Sequence, residues 1–109
     1  MSSEVHVVAI ITPAPGKEAR VRELLSGLAD NVKKHESDVS KYHLFEQYNG
    51  QGGNVFVVEE ILNKDQATYD AHFKTEYFQK LGEVIPQEGL LAAPLDIKTI
   101  KPIGGFLSR

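Results

Sequence analysis

The chain has 109 residues, of which 41% are hydrophobic and 25% charged, and this composition indicates one folded domain rather than a disordered or membrane-spanning chain. Fifteen acidic and twelve basic residues give a net charge of -3, which argues against nucleic acid as a partner, because its polyanionic backbone selects basic surfaces. The absence of cysteine excludes disulfides, thiolate metal sites and cysteine nucleophiles. Neither a membrane-length apolar run nor a secretory leader pattern is visible, so we expect a cytoplasmic protein without a membrane partner.

The first half of the chain predicts a strand, a helix and a hairpin. Residues 5–12 form an apolar, β-branched run whose two faces are both mostly apolar, which is typical of a strand covered on both sides. Apolar residues then recur at helical spacing over 17–36, which predicts a helix. Residues 41–48 lead into a glycine-rich cluster at 49–53, so they should pair with 54–62 as a hairpin.

The second half predicts a helix, a connector and a last strand. Asn63 and Gln66 have the pattern of a capping box, so the second helix should begin there. Its apolar positions continue past Thr75, although Thr75 could equally cap a second, bent segment. Residues 82–94 contain two prolines and two glycines and are predicted to be a connector, and the alternating residues 95–101 a strand.

The order β-α-β-β-α-β is that of the ferredoxin-like fold, an α+β class in which two helices cover one face of a four-stranded antiparallel sheet. The other face would be bare, and because the first and third strands are apolar on both faces, we expect a second copy to cover it as a homodimer. The single domain would span 1–109. Its tail, 102–109, carries three large apolar residues that we expect to dock, for instance on the partner subunit.

Few residues outside the core have the spacing of a known site. No nucleotide-binding, metalloprotease or calcium-binding motif is present, and no two histidines share a helix at ligand spacing, so no metal site is predicted. Glu59 and Glu60 lie in the middle of the third strand and point to opposite faces. Each is either a salt-bridge partner or a polar contact inside a pocket. The same two interpretations, a plain polar strand residue or a pocket contact, apply to His43.

Residues 60–78 carry a more specific pattern, in which a strand with a late Glu is followed by a polar turn, a helix with Ala and then Ala-His, and finally Thr and Phe. This pattern resembles the signature of the antibiotic biosynthesis monooxygenase family. The opening strand, the Pro-Gly turn before the first helix and the hairpin lengths extend the resemblance over the whole chain. The matching positions are Glu60, Ala67, Ala71, His72, Thr75 and Phe78.

The resemblance implies a dimeric α+β barrel, in agreement with the fold inferred from the residues. It also implies a monooxygenase that has O2 as co-substrate and no metal or flavin cofactor, and that oxidises a small apolar phenolic, quinol or enolisable carbonyl compound. A base would remove a proton, and the resulting anion would pass an electron to O2. The radical pair would then form a hydroperoxide that loses water. An apolar pocket favours such chemistry.

Two positions depart from the family. Leu62 stands where the family has Trp, which removes an aromatic wall of the pocket and leaves the substrate open. Gly82 stands where haem-degrading relatives have their iron-ligating histidine, so haem degradation is not expected.

His72 is the predicted catalytic base, because an imidazole exchanges protons readily near neutral pH. Its helical phase places it on a polar flank with Thr68 and Thr75, so a capping or interface role is an alternative. The predicted substrate contacts are Glu60, Tyr69, His43, Leu62 and Phe73.

Three other functions remain open at this point. An isomerase would need the same base but no O2. A non-enzymatic dimer that binds a small apolar ligand would need no base at all. A metal-dependent enzyme would assemble its ligands through space. Oxygen consumption separates the isomerase from a monooxygenase, ligand stabilisation without turnover identifies the binding protein, and chelator-insensitive activity of metal-free protein excludes the metal.

Overall fold

The computed structural model describes residues 4–62 and 66–108, except the side chains of Gln66, Thr68 and Tyr69. Its elements are β1 (Val5–Ile11), α1 (Glu18–His35), β2 (Val39–Glu46), β3 (Phe56–Leu62), α2 (Gln66–His72), α3 (Glu76–Glu88) and β4 (Asp96–Ile100). The strands form one sheet in the order β2-β3-β1-β4, with every neighbouring pair antiparallel. The predicted ferredoxin-like α+β fold is therefore confirmed.

The core lies between one face of the sheet and the helices. Its buried residues come from β1, α1, β3 and the segment after α3, namely Ile11, Val21, Leu25, Phe56, Val58 and Leu90. Full burial of such a side chain stabilises the fold by about 1.5–3 kcal/mol. A smaller cluster around Val7 and Leu62 continues the core towards the far end of β1.

The second helical region differs from the prediction in two ways. It is divided into α2 and α3, and Thr75 stands at the N-cap of α3 in extended geometry, which agrees with the bent-segment alternative. Residues 82–88, predicted to be a connector, are helical instead. Pro86 lies in the last turn, where it removes one intrahelical hydrogen bond, and Gly89 ends the helix in the left-handed conformation with φ 59°. The predicted capping box at Asn63 lies outside the described residues.

The opposite face of the sheet is not covered by any described segment of the chain. It carries a mixture of apolar and charged side chains, in which the exposed ring of Phe45 lies 4.1 Å from that of His43, centroid to centroid. The tail also projects into solvent, since Ile103 is 92% and Phe106 71% exposed. The homodimer and the docked tail stay predictions. No helix within the described ranges is long and apolar enough to cross a bilayer.

Candidate active site

A cavity that opens to solvent lies between the sheet and the helices. Its wall is formed by the helix-facing side of the sheet, by α1 and α3, and by the segment after α3. Of the described residues that line it, all are apolar except Glu60 and Tyr42. These two lie directly opposite each other on β3 and β2, so the cavity has one polar end.

The strand alternation of β3 separates the two adjacent glutamates. Glu59 points away from the helices and forms an exposed ion pair with Lys41, with Oε1 2.7 Å from Nζ. Glu60 points into the cavity and is only 5% exposed. Glu59 is thus a salt-bridge partner, and Glu60 is a polar contact inside the pocket.

His72 is the last residue of α2 and is 2% exposed. Its Nδ1 lies 2.8 Å from Oε1 of Glu36, the residue that follows α1, and its carbonyl oxygen accepts a hydrogen bond from the Thr75 hydroxyl. The rings of Phe73 and Phe78 pack edge-on against it at 5.2 and 5.1 Å. With Glu36 ionised, Nδ1 must be the donor, so the neutral ring directs a free lone pair from Nε2.

That Nε2 atom faces Glu60 across a distance of 3.8 Å to Oε1. Both atoms are buried, and neither has a hydrogen-bond partner among the described residues. A distance of 3.8 Å is too long for a hydrogen bond, but an approach of under 1 Å would make one. Glu60 and His72 therefore form a pair that can take up one proton between them.

The surroundings of this pair control its charge. Burial raises the pKa of the Glu60 carboxyl, and the charge of Glu36 adds to the effect, while His72 opposes it. Burial, followed by the charges of Glu60 and Glu36, also raises the pKa of Tyr42 far above neutral, so its hydroxyl stays a donor. Tyr77 donates a hydrogen bond to Oε2 of Glu36, and burial together with this bond raises the pKa of Tyr77 to about 12.

The structure brings together only part of the predicted site. Glu60 and Phe73 line the cavity, and His72 lies directly behind Glu60 rather than on the polar flank of its helix. Leu62 is fully buried in the cluster around Val7 and is not among the lining residues. His43 is exposed on the opposite face of the sheet, away from the cavity.

The side chain of Tyr69, the remaining predicted contact, lies outside the described residues. Three residues of the site were not predicted, namely Glu36, Tyr42 and Tyr77. Only Tyr42 left a signal in the sequence, since the alternation of the second strand places it on the face opposite His43. Among the described residues, no three His, Asp or Glu side chains are placed to hold a metal ion.

The sequence is similar to one known protein family. The model of the antibiotic biosynthesis monooxygenase family matches residues 4–84, which include every element except part of α3 and all of β4. No curated protein matches the sequence.

Several solved structures share the fold. The protein PA3566 of Pseudomonas aeruginosa is 24% identical with a TM-score of 0.80, over 95% of this chain and 98% of that one. A proposed antibiotic biosynthesis monooxygenase of Caulobacter crescentus is 23% identical with a TM-score of 0.79, over 94% of this chain and 92% of that one. Rv0793 of Mycobacterium tuberculosis is 22% identical with a TM-score of 0.78, over 94% and 98%. At these identities the likeness establishes the fold alone.

Proposed function

Because the chain belongs to the antibiotic biosynthesis monooxygenase family, we propose that it is a monooxygenase that oxidises a small apolar phenol, quinol or enolisable ketone with O2. The proposal includes no metal or organic cofactor, and it assigns the base to Glu60 and His72 acting together. Two copies of the chain would pack through the bare faces of their sheets.

The observation that carries this proposal is the Glu60 carboxylate at the polar end of an otherwise apolar cavity, with an unpaired imidazole nitrogen behind it. A carboxylate with a raised pKa is a stronger base than an ordinary one, so it is better matched to a weakly acidic C–H or O–H group. His72 does not line the cavity, so its part would be to accept the proton from Glu60 and not to touch the substrate.

The chemistry balances without an external reductant. Glu60 takes a proton from the substrate, and the substrate anion gives one electron to O2. The substrate radical and superoxide then combine through a new C–O bond, and the stored proton returns to the distal oxygen to give a hydroperoxide. Loss of a second substrate proton breaks the O–O bond and forms the carbonyl product, and the departing hydroxide takes that proton as water. The substrate supplies all four electrons.

Tyr42 has a separate role in this scheme. Its hydroxyl lies at the same polar end of the cavity as Glu60, and its raised pKa keeps it protonated. A neutral donor beside the base stabilises the oxygen of a phenolate or enolate as charge develops there. Its replacement in Tyr42→Phe should therefore lower kcat by roughly 10²-fold or more, as the removal of one such donor does in other enzymes.

The test is oxygen uptake by chelator-treated protein against hydroquinones, anthrone and cyclic ketones, with the product mass measured in parallel. We expect uptake with quinone formation or the gain of one oxygen atom, lost in Glu60→Gln and His72→Ala and retained in Glu59→Gln. Glu59 is the matched control because it lies on the same strand but outside the cavity. Isomerised product without oxygen uptake would replace the proposal with an isomerase, and thermal stabilisation without any product would replace it with a binding protein.

A further inference from the structure

Glu36 follows the C-terminal end of α1, where a carboxylate does not stabilise the helix. It is the residue after α1, and its backbone N–H donates to the Val32 carbonyl at 2.9 Å. A carboxylate is electrostatically unfavourable at the C-terminal end of a helix, where the partial charge is negative. Its two oxygens nevertheless bind two side chains from other elements, His72 through Nδ1 and Tyr77 through its hydroxyl.

The contact with Glu36 decides which nitrogen of His72 carries the hydrogen. A carboxylate only accepts, so it selects the ring form with hydrogen on Nδ1 and a lone pair on Nε2. With the other tautomer, Nε2 would carry a hydrogen and could not take a proton from Glu60. Tyr77 fixes the orientation of Glu36, and the His35 ring stacks on Tyr77 with 6.1 Å between centroids.

We propose that Glu36 is a positioning residue of the site, which holds His72 with its Nε2 lone pair towards Glu60 and supplies the countercharge when His72 is protonated. This inference rests on the proposed function for its role in turnover. Glu36 does not line the cavity, so it acts through His72 and not on the substrate. Among the described residues, the titratable groups that face the imidazole are Glu60 from β3, Tyr42 from β2 and Glu36 from the end of α1. Tyr42 stays neutral, so within this part of the chain Glu36 and Glu60 are the charged groups that face the ring.

The first test is the tautomer of His72, read from the ¹⁵N shifts of its ring in protein labelled at histidine. The wild type should carry hydrogen on Nδ1. The variant Glu36→Ala should shift the neutral ring towards the form with hydrogen on Nε2, whereas Glu36→Gln, whose amide oxygen still accepts, should keep the wild-type tautomer. An unchanged tautomer in Glu36→Ala would overturn the proposal. If the alanine variant does not fold, the wild type alone still tests the proposal, because hydrogen on Nε2 instead of Nδ1 would overturn it.

The second test is the oxidation of anthrone. Glu36→Ala should lower kcat by on the order of 10²- to 10⁴-fold, the usual range for loss of a general base, with KM within about twofold. Glu36→Gln should retain more activity than Glu36→Ala. Glu88→Gln is the control, since it removes an exposed carboxylate that binds Arg20.

The two proposals fail separately. A rise in KM with kcat unchanged would assign Glu36 to substrate binding and overturn the positioning role. If the wild type consumes no oxygen with any compound, the proposed function fails, while the tautomer comparison still decides whether Glu36 positions His72.

Discussion

Glu59 and Glu60 offer a direct test of the cavity, because the same substitution at neighbouring positions should have opposite consequences for stability. Glu60→Gln keeps the shape of the side chain and removes a buried charge. Glu59→Gln keeps the shape and removes an exposed charge that binds Lys41. The two variants make the same chemical change on the same strand, so a difference between their stabilities reports the burial of Glu60.

The sign follows from the raised pKa of Glu60, whose first cause is burial. The folded state binds the Glu60 proton more tightly than the unfolded state does. Below the unfolded pKa of about 4.3 the carboxyl is protonated in both states, so it costs no stability. The cost then grows as the pH rises from the unfolded pKa through the folded pKa. Glu60→Gln removes that cost. Relative to wild type, it should gain stability between acidic and neutral pH, and the gain should level off above the folded pKa.

The expected Tm change of Glu60→Gln can be compared with that of the control, Glu59→Gln. Each pKa unit between the folded and unfolded states corresponds to about 1.4 kcal/mol. About 1 kcal/mol moves the Tm of a chain of this length by roughly 4–8 °C. The exposed ion pair of Glu59 is screened by solvent and is worth at most about 1 kcal/mol, so Glu59→Gln should lower the Tm slightly.

The assay is thermal unfolding followed by circular dichroism from pH 4 to 9, at one protein concentration so that association does not change between samples. The quantity of interest is the Tm difference between each variant and wild type, in which the titration of all unchanged groups cancels. A difference for Glu60→Gln that is flat with pH, or that falls towards neutral pH, would refute the inference that Glu60 is buried as a destabilised charge.

Three further predictions concern other parts of the fold, each tested by the same unfolding assay or by light scattering. Gly89→Ala should destabilise the fold by about 1–2 kcal/mol, because φ at Gly89 is 59°. Gly27→Ala, in the middle of α1, should stabilise it by about 0.5–1 kcal/mol. Equal effects of the two variants would contradict the helix end at Gly89. Leu25→Ala should cost about 2–5 kcal/mol, since Leu25 is 6% exposed in the main core, and a loss under 1 kcal/mol would show that it is not packed there. Val57→Glu, on the bare face of the sheet, should shift the proposed dimer to monomer, whereas Ser26→Glu, on an exposed position of α1, should not; unchanged mass in both variants would exclude that face as the interface.

The fold was largely predictable because its signals are local. The alternation of β3 and the helical spacing of α1 each lie within one segment, and the element order then leaves few topologies. The main error, over 82–88, came from treating Gly82 and Pro86 as helix breakers. Val84 and Ile85 continue the apolar face of α3 through this stretch, and their packing on the core outweighs the low helix propensity of the two residues.

The site was less predictable because it depends on contacts between distant segments. Glu60 could be identified from strand alternation alone. The burial of His72 depends on where α2 ends and how the chain turns into α3, and its partner Glu36 lies 36 residues earlier. No spacing rule connects these two positions. The exposure of His43 follows from the same alternation that places Tyr42 in the cavity, so that choice between neighbours could have been made from the strand pattern.

One part of the cavity wall lies outside the four-stranded sheet. Leu90 and Leu91 close it, and their segment joins the chain after β1 through two backbone hydrogen bonds, Ala14 N–H to the Leu90 carbonyl and Ala92 N–H to the Thr12 carbonyl. Displacing this segment breaks those two bonds and exposes Leu90, but leaves the pairing of β1, β2 and β3 intact. This segment should therefore open locally at a lower free energy than global unfolding requires, and the amide protons of Ala14 and Ala92 should exchange with solvent sooner than those of the central strands.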